Sequence, residues 1–448
     1  MTIAPTQNVA ALNPESYVGI GMSPNLLLNE LVADRRRRGL PTLHLGFGEA
    51  RLPLLPELAR VLADAAPQAS YSPVAGTEAA RTAVAGYFQR RGLGTDPADV
   101  VLAPGSKPLL FATIAALDGD VYLPAPAWNS YAPQIRLAGR TPIAVPIGER
   151  YGGLPEPELL RERIRQDRQR GRRPAAVIVN SPDNPTGSIA PRSVLAQLCA
   201  IASDAGLAVI SDEIYRDLQH DAEPYVSPAE LLPDRTVICT GLSKSLAIGG
   251  WRIGTARFPA GSFGSGLRGR VLAIASDLWS TMAAPMQEAA AYAFAEPPAI
   301  AERLWQSRRL HAGLADACYQ VCRAHGAAIR RPSGAFYVYA DFSERRSAFA
   351  RHGALDSASL AQRLLDDYGV AVLAGHHLGD DPGRLAFKIA TTGFIGDSED
   401  EQLAALAATD PTRLPHVQDR LRWLDEALAG IGGTSPWLQQ ETLSDWSN

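Results

Sequence analysis

The stretch that decides the fold is TGLSKSLAIGGWRIG, residues 240–254, in which Lys244 and Arg252 lie on either side of two glycines. An apolar run leads into it, and a second strand-like run follows it. Gly249 and Gly250 let the backbone turn between the two runs. A lysine and an arginine on such a turn suit the capture of a small carbonyl compound that carries a phosphate, although a solvent-exposed basic pair is the commoner arrangement. Residues elsewhere in the chain must decide between these two interpretations.

The overall composition is that of a globular protein and excludes several functional classes. The chain has 448 residues, a length sufficient for two or three domains. Of these residues, 46% are hydrophobic and 20% are charged, as in ordinary globular proteins. A net charge of -4 gives no overall electrostatic attraction to nucleic acid or to an anionic membrane. The first residues lack a signal-peptide pattern, and no apolar stretch of about 20 residues occurs, so we expect a cytoplasmic protein. The four cysteines are too few and too scattered for a disulfide framework, and we expect buried thiols.

Apolar runs alternate with helical patterns from about residue 70 onward, which predicts an α/β domain. Runs such as AAVIVN and LAVIS are apolar throughout, as in strands that are covered on both faces. Beyond a long helical stretch, GAFYVYADFS, GVAVLAG and RLAFKIA predict a smaller α+β domain. We therefore predict an amino-terminal segment (1–65) that packs with the small domain, a large domain (66–310), a small domain (311–430) and a tail (431–448).

Five features that can carry chemistry follow predicted strands, at the edge where open α/β sheets bind ligands. In chain order they are the helix start APGSKP with Gly105, Ser106 and Lys107, the aromatic Trp128, the turn NSPDNPTG with Asn180 and Asn184, the run ISDEIY with Asp212 and Tyr215, and the opening stretch with Lys244 and Arg252. Each has an ordinary structural explanation when taken alone, such as a helix cap, a core aromatic or an ion pair. Together they match the needs of pyridoxal 5′-phosphate: a lysine for the aldehyde, a carboxylate for the ring nitrogen and a cradle for the phosphate.

Four of these motifs also resemble one family in sequence and order. NPTG (184–187), DEIY (212–215), LSKS (242–245) and GWRIG (250–254) are similar to the motifs of the class I and II aminotransferases, which are fold type I pyridoxal-phosphate enzymes. The resemblance extends from about HLGFGEA to RLAFKIA, which is most of the chain. It implies a large, mostly parallel sheet of the seven-stranded type together with a smaller α+β domain.

The resemblance also implies roles for individual residues. Lys244, Asp212 and Tyr215 are the predicted catalytic residues: Lys244 forms the Schiff base and moves protons, Asp212 pairs with the ring nitrogen, and Tyr215 binds the ring oxygen together with Asn184. The other predicted cofactor-binding residues are Gly105, Ser106, Lys107, Trp128, Ser243 and Arg252, with Tyr71 reaching the phosphate of a neighbouring subunit. The position of Tyr71 implies a homodimer. No metal is implied.

Two positions are the predicted substrate contacts. Gly48 in LGFGEA resembles the glycine that lines the substrate pocket, and Arg384 in GRLAFKIA resembles the arginine that forks onto the substrate α-carboxylate. A register shifted by two residues would place Ala386 there instead and leave the carboxylate without an identified partner. His376 and His377 precede Arg384, and an exposed polar loop is favoured over a metal site.

The implied reaction is transamination between an α-amino acid and a 2-oxo acid through external aldimine and quinonoid intermediates. The same motifs serve lyases, enzymes of β- or γ-elimination and replacement, and ring-forming or C–C bond-forming biosynthetic enzymes, some of which use S-adenosylmethionine. Oxidation by dioxygen is a further outcome of this chemistry. Fold and cofactor do not choose among these reactions. A regulator with a fused DNA-binding domain is disfavoured, because only about 40 residues precede LHLGFGEA.

Overall fold

The computed structural model describes residues 21–148, 151–221 and 223–432. Its strands are β1 (Leu43–His44), β2 (Val100–Pro104), β3 (Asp120–Ala125), β4 (Pro142–Pro146), β5 (Pro174–Asn180), β6 (Ala208–Asp212), β7 (Thr236–Gly241), β8 (Ile253–Arg257), β9 (Tyr337–Asp341), β10 (Val370–Ala371), β11 (Leu373–Ala374) and β12 (Ala386–Ala390). Its α-helices are α1 (Pro24–Arg37), α2 (Pro56–Ala65), α3 (Glu78–Arg90), α4 (Ser106–Ala116), α5 (Tyr131–Leu137), α6 (Pro157–Gln169), α7 (Arg192–Asp204), α8 (Pro228–Leu231), α9 (Gly261–Leu278), α10 (Ala284–Ala295), α11 (Pro298–Ala324), α12 (Arg346–Ala350), α13 (Ser357–Tyr368), α14 (Glu399–Ala407) and α15 (Pro415–Gly432).

A seven-stranded sheet with the order β2-β8-β7-β6-β5-β3-β4 forms the centre of the large domain. Its strands run parallel except β8, which is antiparallel to both of its neighbours. Every residue of β6 and β7 is buried, because α4 and α9 pack on one face of the sheet and α6 and α7 pack on the other. The predicted α/β fold with a large, mostly parallel sheet is confirmed.

A three-stranded antiparallel sheet, β11-β12-β9, forms the small domain and packs against α11, α13 and α15. The short strand β1 pairs in parallel with β10, so residues near position 43 join the core of the small domain. The predicted domain boundaries stay predictions, and the one at residue 310 falls within the continuous helix α11. Residues 1–20 of the amino-terminal segment and all but the first two residues of the predicted tail lie outside the described residues. All four cysteines are buried free thiols, as expected.

Within the described ranges, no helix is both long and apolar enough to cross a membrane.

Two glycines allow β8 to lie against the start of α4. A Cβ atom on Gly254 would lie 2.1 Å from the carbonyl carbon of Gly105 and 2.2 Å from the amide nitrogen of Ser106. Gly105 itself adopts φ of +99°, a conformation that side chains rarely tolerate. This contact brings the amino terminus of α4 close to Arg252, which immediately precedes β8. The spacing of the two backbones therefore depends on the absence of side chains at both positions.

Replacing Gly254 with alanine should destabilise the protein, because the new methyl group would overlap backbone atoms that cannot rotate away. We expect the free energy of unfolding to fall by about 2 kcal/mol or more. The measurement is urea denaturation followed by circular dichroism. Gly269→Ala is the matched control, since it lies on an exposed face of α9 with nothing within 4 Å of the new Cβ. Equal midpoints for the two variants would contradict this account of the contact.

Candidate active site

Lys244 lies in the turn after β7 and points toward the amino-terminal part of the chain. Its Nζ donates a 2.5 Å hydrogen bond to the carbonyl oxygen of Gly48. Burial lowers the pKa of Lys244 to about 8; Glu49 opposes this shift, and Arg252 reinforces it. Since an amine with a pKa near 8 exists in both protonation states near neutral pH, Lys244 can accept and return a proton.

Asp212 ends β6 and is 3% exposed. Its Oδ2 accepts a 2.7 Å hydrogen bond from the Tyr131 hydroxyl, and the side chain of Asn180 donates to its main-chain carbonyl at 2.8 Å. Burial raises the pKa of Asp212 to about 6, against the hydrogen bond from Tyr131 and the charge of Lys244. No ion pair to this carboxylate occurs among the described residues. The carboxylate is thus held in position and would gain stability from a nearby cation.

Tyr215 and Asn184 lie close together next to the small domain. The hydroxyl groups of Tyr215 and Tyr337 are 2.7 Å apart and share a hydrogen bond. Burial raises the pKa of Tyr215 well above its ordinary value, and the Asn184 side chain acts in the opposite direction. The Oδ1 atom of Asn184 is buried without a hydrogen-bond partner. A fixed hydroxyl and an unpaired amide oxygen together form a polar wall that can bind a ligand.

The start of α4 and the turn before β8 form the anion cradle. A Cβ atom on Gly105 would lie 2.3 Å from the guanidinium of Arg252, so only glycine leaves this space open. Ser106 begins α4, whose free amide groups and dipole favour an anion. The Nζ of Lys107 lies 5.0 Å from the ring centre of Trp128, and burial and Arg252 both lower its pKa. The cradle therefore combines amide donors with two positive side chains.

Other predicted contacts surround this group. Ser243 directly precedes Lys244 in the same turn, and a Cβ atom on Gly48 would lie 2.1 Å from the Tyr337 hydroxyl. The Thr240 hydroxyl donates to the main-chain carbonyl of Glu213 and is therefore already engaged. A Cβ atom on Gly241 would lie 2.4 Å from the carbonyl oxygen of Ile253. The amides at the start of α4, Lys107 and Arg252 therefore line the cradle, and the predicted phosphate contact of Ser243 stays a prediction.

These residues fit pyridoxal 5′-phosphate. The buried acid Asp212 forms no ion pair with any described residue, and a protonated ring nitrogen would supply one. The unpaired oxygen of Asn184 and the open cradle beside Gly105 offer further polar contacts, and Lys244 offers the amine for the aldehyde. The structure thus brings Lys244, Asp212, Tyr215 and Asn184 into one cluster with the cradle.

Comparison with known proteins agrees with this fit. The family model for aminotransferase class I and II matches residues 41–393. The chain belongs to the class I and II aminotransferase family. It is accordingly a pyridoxal-phosphate-dependent transferase, and transamination is supported over the lyase alternative.

Individual relatives of the aminotransferase cover most of its length. It is 32% identical to the aspartate/prephenate aminotransferase of Thermus thermophilus over 383 residues, which is 83% of this chain and 90% of the relative. It is also 32% identical to the aspartate aminotransferase of Geobacillus stearothermophilus, with coverage of 85% and 93%. The solved structure of aspartate aminotransferase from Thermus thermophilus with maleate superimposes with a TM-score of 0.79 at 27% identity, over 93% of this chain and 99% of that one.

Arg384 does not join this cluster through any of its polar contacts. It lies two residues before β12 and bonds to the carboxylates of Asp341 and Asp380, with its side chain 44% exposed. Both carboxylates raise the pKa of its guanidinium. The predicted role of Arg384 in binding the substrate carboxylate stays a prediction, and this double pairing argues against it.

Three further positions named in the sequence analysis, Tyr71, His376 and His377, form no hydrogen bond with Lys244 or Asp212 among the described residues. Tyr71 is 90% exposed, so its hydroxyl is available to another subunit. His376 and His377 form a short 3₁₀ turn, and Nδ1 of His376 lies 2.8 Å from the Ser357 hydroxyl. No group of three or more metal-ligating side chains is present in the ranges that the structure describes.

Sequence reasoning missed three side chains of the site. Tyr131 supports Asp212, Tyr337 bonds to Tyr215, and Lys388 lies with its Nζ 5.0 Å from the ring centre of Tyr337. Tyr131 could have been noticed as the next aromatic after Trp128 in APAWNSY. Lys388 carried a clearer signal, because the sequence has only three lysines among its 43 lysine and arginine residues, and the other two are Lys107 and Lys244.

Replacing Asp212 with asparagine should stabilise the cofactor-free protein at neutral pH. The folded-state pKa of about 6 lies above the ordinary value of 3.8, so ionisation destabilises the fold as pH rises through this interval. We expect the variant to be more stable than wild type above pH 6, by at most roughly 3 kcal/mol, and the difference to vanish below pH 4. Thermal unfolding from pH 4 to pH 8 measures this.

The control for this measurement is Asp277→Asn, which changes an exposed carboxylate on α9 and should have a small effect on stability. A stability difference between wild type and Asp212→Asn that stays constant from pH 4 to pH 8 would contradict the raised pKa.

Proposed function

We propose that this aminotransferase transfers an amino group between an α-amino acid and a 2-oxo acid, with Lys244 as the proton carrier. The observation that carries the proposal is the convergence of Lys244 and Asp212, whose pKa values burial moves to about 8 and about 6. When bound, the cofactor supplies an aldehyde for the substrate amine and a ring that withdraws electrons. Asp212 favours the protonated, electron-withdrawing form of that ring, because its carboxylate is stabilised by the positive charge.

The protein contributes position and proton transfer. Lys244 is expected to take the α-proton of the amino acid and to return a proton at the neighbouring reactive carbon, which its pKa permits near neutral pH. Tyr215 and Asn184 hold the ring edge, and Trp128 faces Lys107 beside the cradle. An apolar cluster that includes Ala50, Ile214, Phe336 and Ala390 adjoins Tyr215 and limits access of water from the small domain.

An acidic amino acid such as aspartate is proposed as one substrate. The relatives that bear the names aspartate and aspartate/prephenate aminotransferase support this choice. The electrostatics of the site support it too. Within the described residues, the basic side chains Lys107, Lys244, Arg252 and Lys388 outnumber the acidic side chains Asp212 and Glu49 that act on Lys244. A surplus of positive charge favours a phosphate together with a dicarboxylate.

A homodimer and a cytoplasmic location complete the proposal. The exposed hydroxyl of Tyr71 would reach the phosphate of the partner subunit, as the family resemblance implies. The four cysteines are free thiols, in keeping with a reducing compartment.

Replacing Lys244 with alanine or arginine should abolish amino transfer. The expected loss in rate is on the order of 1,000-fold or more, because the variants lack an amine that titrates near neutral pH. The assay supplies aspartate and 2-oxoglutarate to the holoenzyme, follows the cofactor spectrum and identifies products by mass. Wild type should yield oxaloacetate and glutamate together. Release of ammonia without glutamate, or a ring-closed product, would contradict transamination.

Mixed dimers can test whether Tyr71 serves the neighbouring site. A dimer of one Lys244→Ala subunit and one Tyr71→Ala subunit contains one site with both native residues if Tyr71 acts across the interface, and no such site if it acts within its own subunit. We therefore expect mixing to restore up to about half of the wild-type activity per mixed dimer. The measurement is activity after unfolding and refolding the two variants together, with light scattering to confirm the dimer. Each variant refolded alone is the control, and failure of a confirmed mixed dimer to gain activity would reject the role across the interface.

A further inference from the structure

Lys388 lies in the middle of β12, on the face of the small sheet that meets the active site. Alternate residues of the strand contact different parts of the protein. Phe387 and Ile389 pack in the core of the small domain. Ala390 packs instead with Tyr215 and Tyr337. Since side chains alternate between the two faces of a strand, Lys388 shares its face with Ala390. Strand pairing sets Lys388 opposite Tyr339 of β9 and Leu373 of β11. The lysine therefore projects from the small sheet toward the cofactor side.

The ammonium of Lys388 has no anion beside it. The residue is 1% exposed, and no carboxylate forms an ion pair with its Nζ among the residues the structure describes. The Nζ lies 5.0 Å from the ring centre of Tyr337, and the face of this ring attracts a cation only weakly. A buried cation without a counterion is unfavourable, so this position is suited to a ligand that brings a negative charge.

The electrostatic neighbours of Lys388 place it beside the catalytic lysine. Burial and the charge of Lys244 together lower the pKa of Lys388 to about 7. The charge of Lys388 in turn contributes to the lowered pKa of His44, whose largest cause is burial. Tyr339, opposite Lys388, has its hydroxyl engaged with Asp380. Two amines that repel each other, Lys244 and Lys388, thus lie near one another, and no carboxylate among the described residues pairs with Lys388.

Arg384, the other candidate for binding a substrate carboxylate, is neutralised by protein groups. Asp341 and Asp380 both bond to its guanidinium, which lies outside β12 and is partly exposed. Of the cations around Lys244, Lys107 and Arg252 border the anion cradle beside α4. On the side of the small domain, Arg36 and Arg51 are paired with Asp397, whereas Lys388 has no carboxylate partner among the described residues.

The composition of the chain adds a further observation. Only three lysines occur among the 43 lysine and arginine residues, and all three act electrostatically at this site: Lys107, Lys244 and Lys388. Arginine supplies the basic groups elsewhere. Lys388, which is 1% exposed, therefore departs from the preference for arginine shown by the rest of the chain.

We propose that Lys388 binds the α-carboxylate shared by the amino acid and 2-oxo acid substrates. The inference rests on the proposed function, because it takes the substrates from that proposal. The negative charge of the carboxylate pairs with the ammonium, and substrate binding fills the space between Lys388 and Lys244. The lysine positions the substrate by a single charged contact, whereas an arginine would fork onto both carboxylate oxygens.

The test compares Lys388→Met with wild-type holoenzyme on aspartate and alanine, which both carry the α-carboxylate but differ in that only aspartate has a side-chain carboxylate. Methionine keeps the length of the side chain and removes the charge. We expect KM to rise for both amino acids by a similar factor, on the order of 100-fold, because the carboxylate would lose its charged partner. The cofactor absorbance of the variant shows that it is folded and loaded. Binding of 2-methylaspartate, which has no α-proton to lose, is titrated by the same absorbance and should weaken in parallel.

A pH profile separates a charged contact from a merely structural lysine. Binding requires the ammonium, which is present below the pKa of about 7 and is lost above it. Wild-type affinity for 2-methylaspartate should therefore fall by about tenfold per pH unit above this pKa. Lys388→Arg keeps its charge throughout the range, so its affinity should lack this fall.

Three results would overturn the inference. One is an unchanged KM and an unchanged affinity for 2-methylaspartate in Lys388→Met. A second is a rise in KM for aspartate alone, which would assign the lysine to the side-chain carboxylate. The third is a rise in KM for both amino acids in Arg384→Met but not in Lys388→Met. Absence of 2-oxo acid formation by wild type would instead refute the proposed function, and the 2-methylaspartate titration would still decide the role of Lys388.

Discussion

The active site depends on one unfavourable arrangement, a carboxylate buried at the end of a fully buried strand. Asp212 emerges from β6 with a hydroxyl and a backbone donor around it, but it forms no ion pair among the described residues. A carboxyl group in this setting is more stable when neutral or when a positive ring nitrogen lies beside it. The site thus favours a ligand with a positive charge near Asp212, and the hydrogen bond from Tyr131 fixes the orientation of the carboxylate.

Around this carboxylate, the packing of the sheet brings distant parts of the chain together. The carboxyl ends of β5, β6 and β7 place Asn184, Asp212 and Lys244 at one edge. Gly105, which follows β2, and Gly254 in β8 allow the start of α4 to lie beside Arg252. The small sheet supplies Tyr337 and Lys388 from the opposite side. Large-domain strands thus position the groups that we propose for the cofactor, and the small sheet adds Lys388, which we propose for the substrate.

The sequence predicted the large-domain half of this arrangement well, and physical reasons explain why. Residues of that half follow buried strands, and apolar runs such as LAVIS before Asp212 indicate where each strand ends. The small sheet offered no comparable guide. In GRLAFKIA, positions 384, 386 and 388 would share a face of any strand, and a shift of two residues moves a side chain by about 7 Å along the strand without changing that face.

The strand in fact begins at Ala386, so Arg384 turns to Asp341 and Asp380 while Lys388 takes the buried position. Tyr131 and Tyr337 were missed for a related reason, since an aromatic residue in a strand or helix is usually a core residue. Only tertiary contacts reveal that their hydroxyl groups bond to Asp212 and Tyr215.

The hydrogen bond between Tyr215 and Tyr337 joins the two sheets through a pair of hydroxyl groups, and each hydroxyl has a single proton to donate. If Tyr215 donates its proton to the ring oxygen, it can only accept from Tyr337, so the pair acquires a polarity that runs from the small sheet to the large one. A displacement of the small sheet would then withdraw a donor from Tyr215 and change the basicity of its oxygen. If Tyr215 binds the ring oxygen as we propose, the charge distribution at that edge of the cofactor would therefore depend on the position of β9.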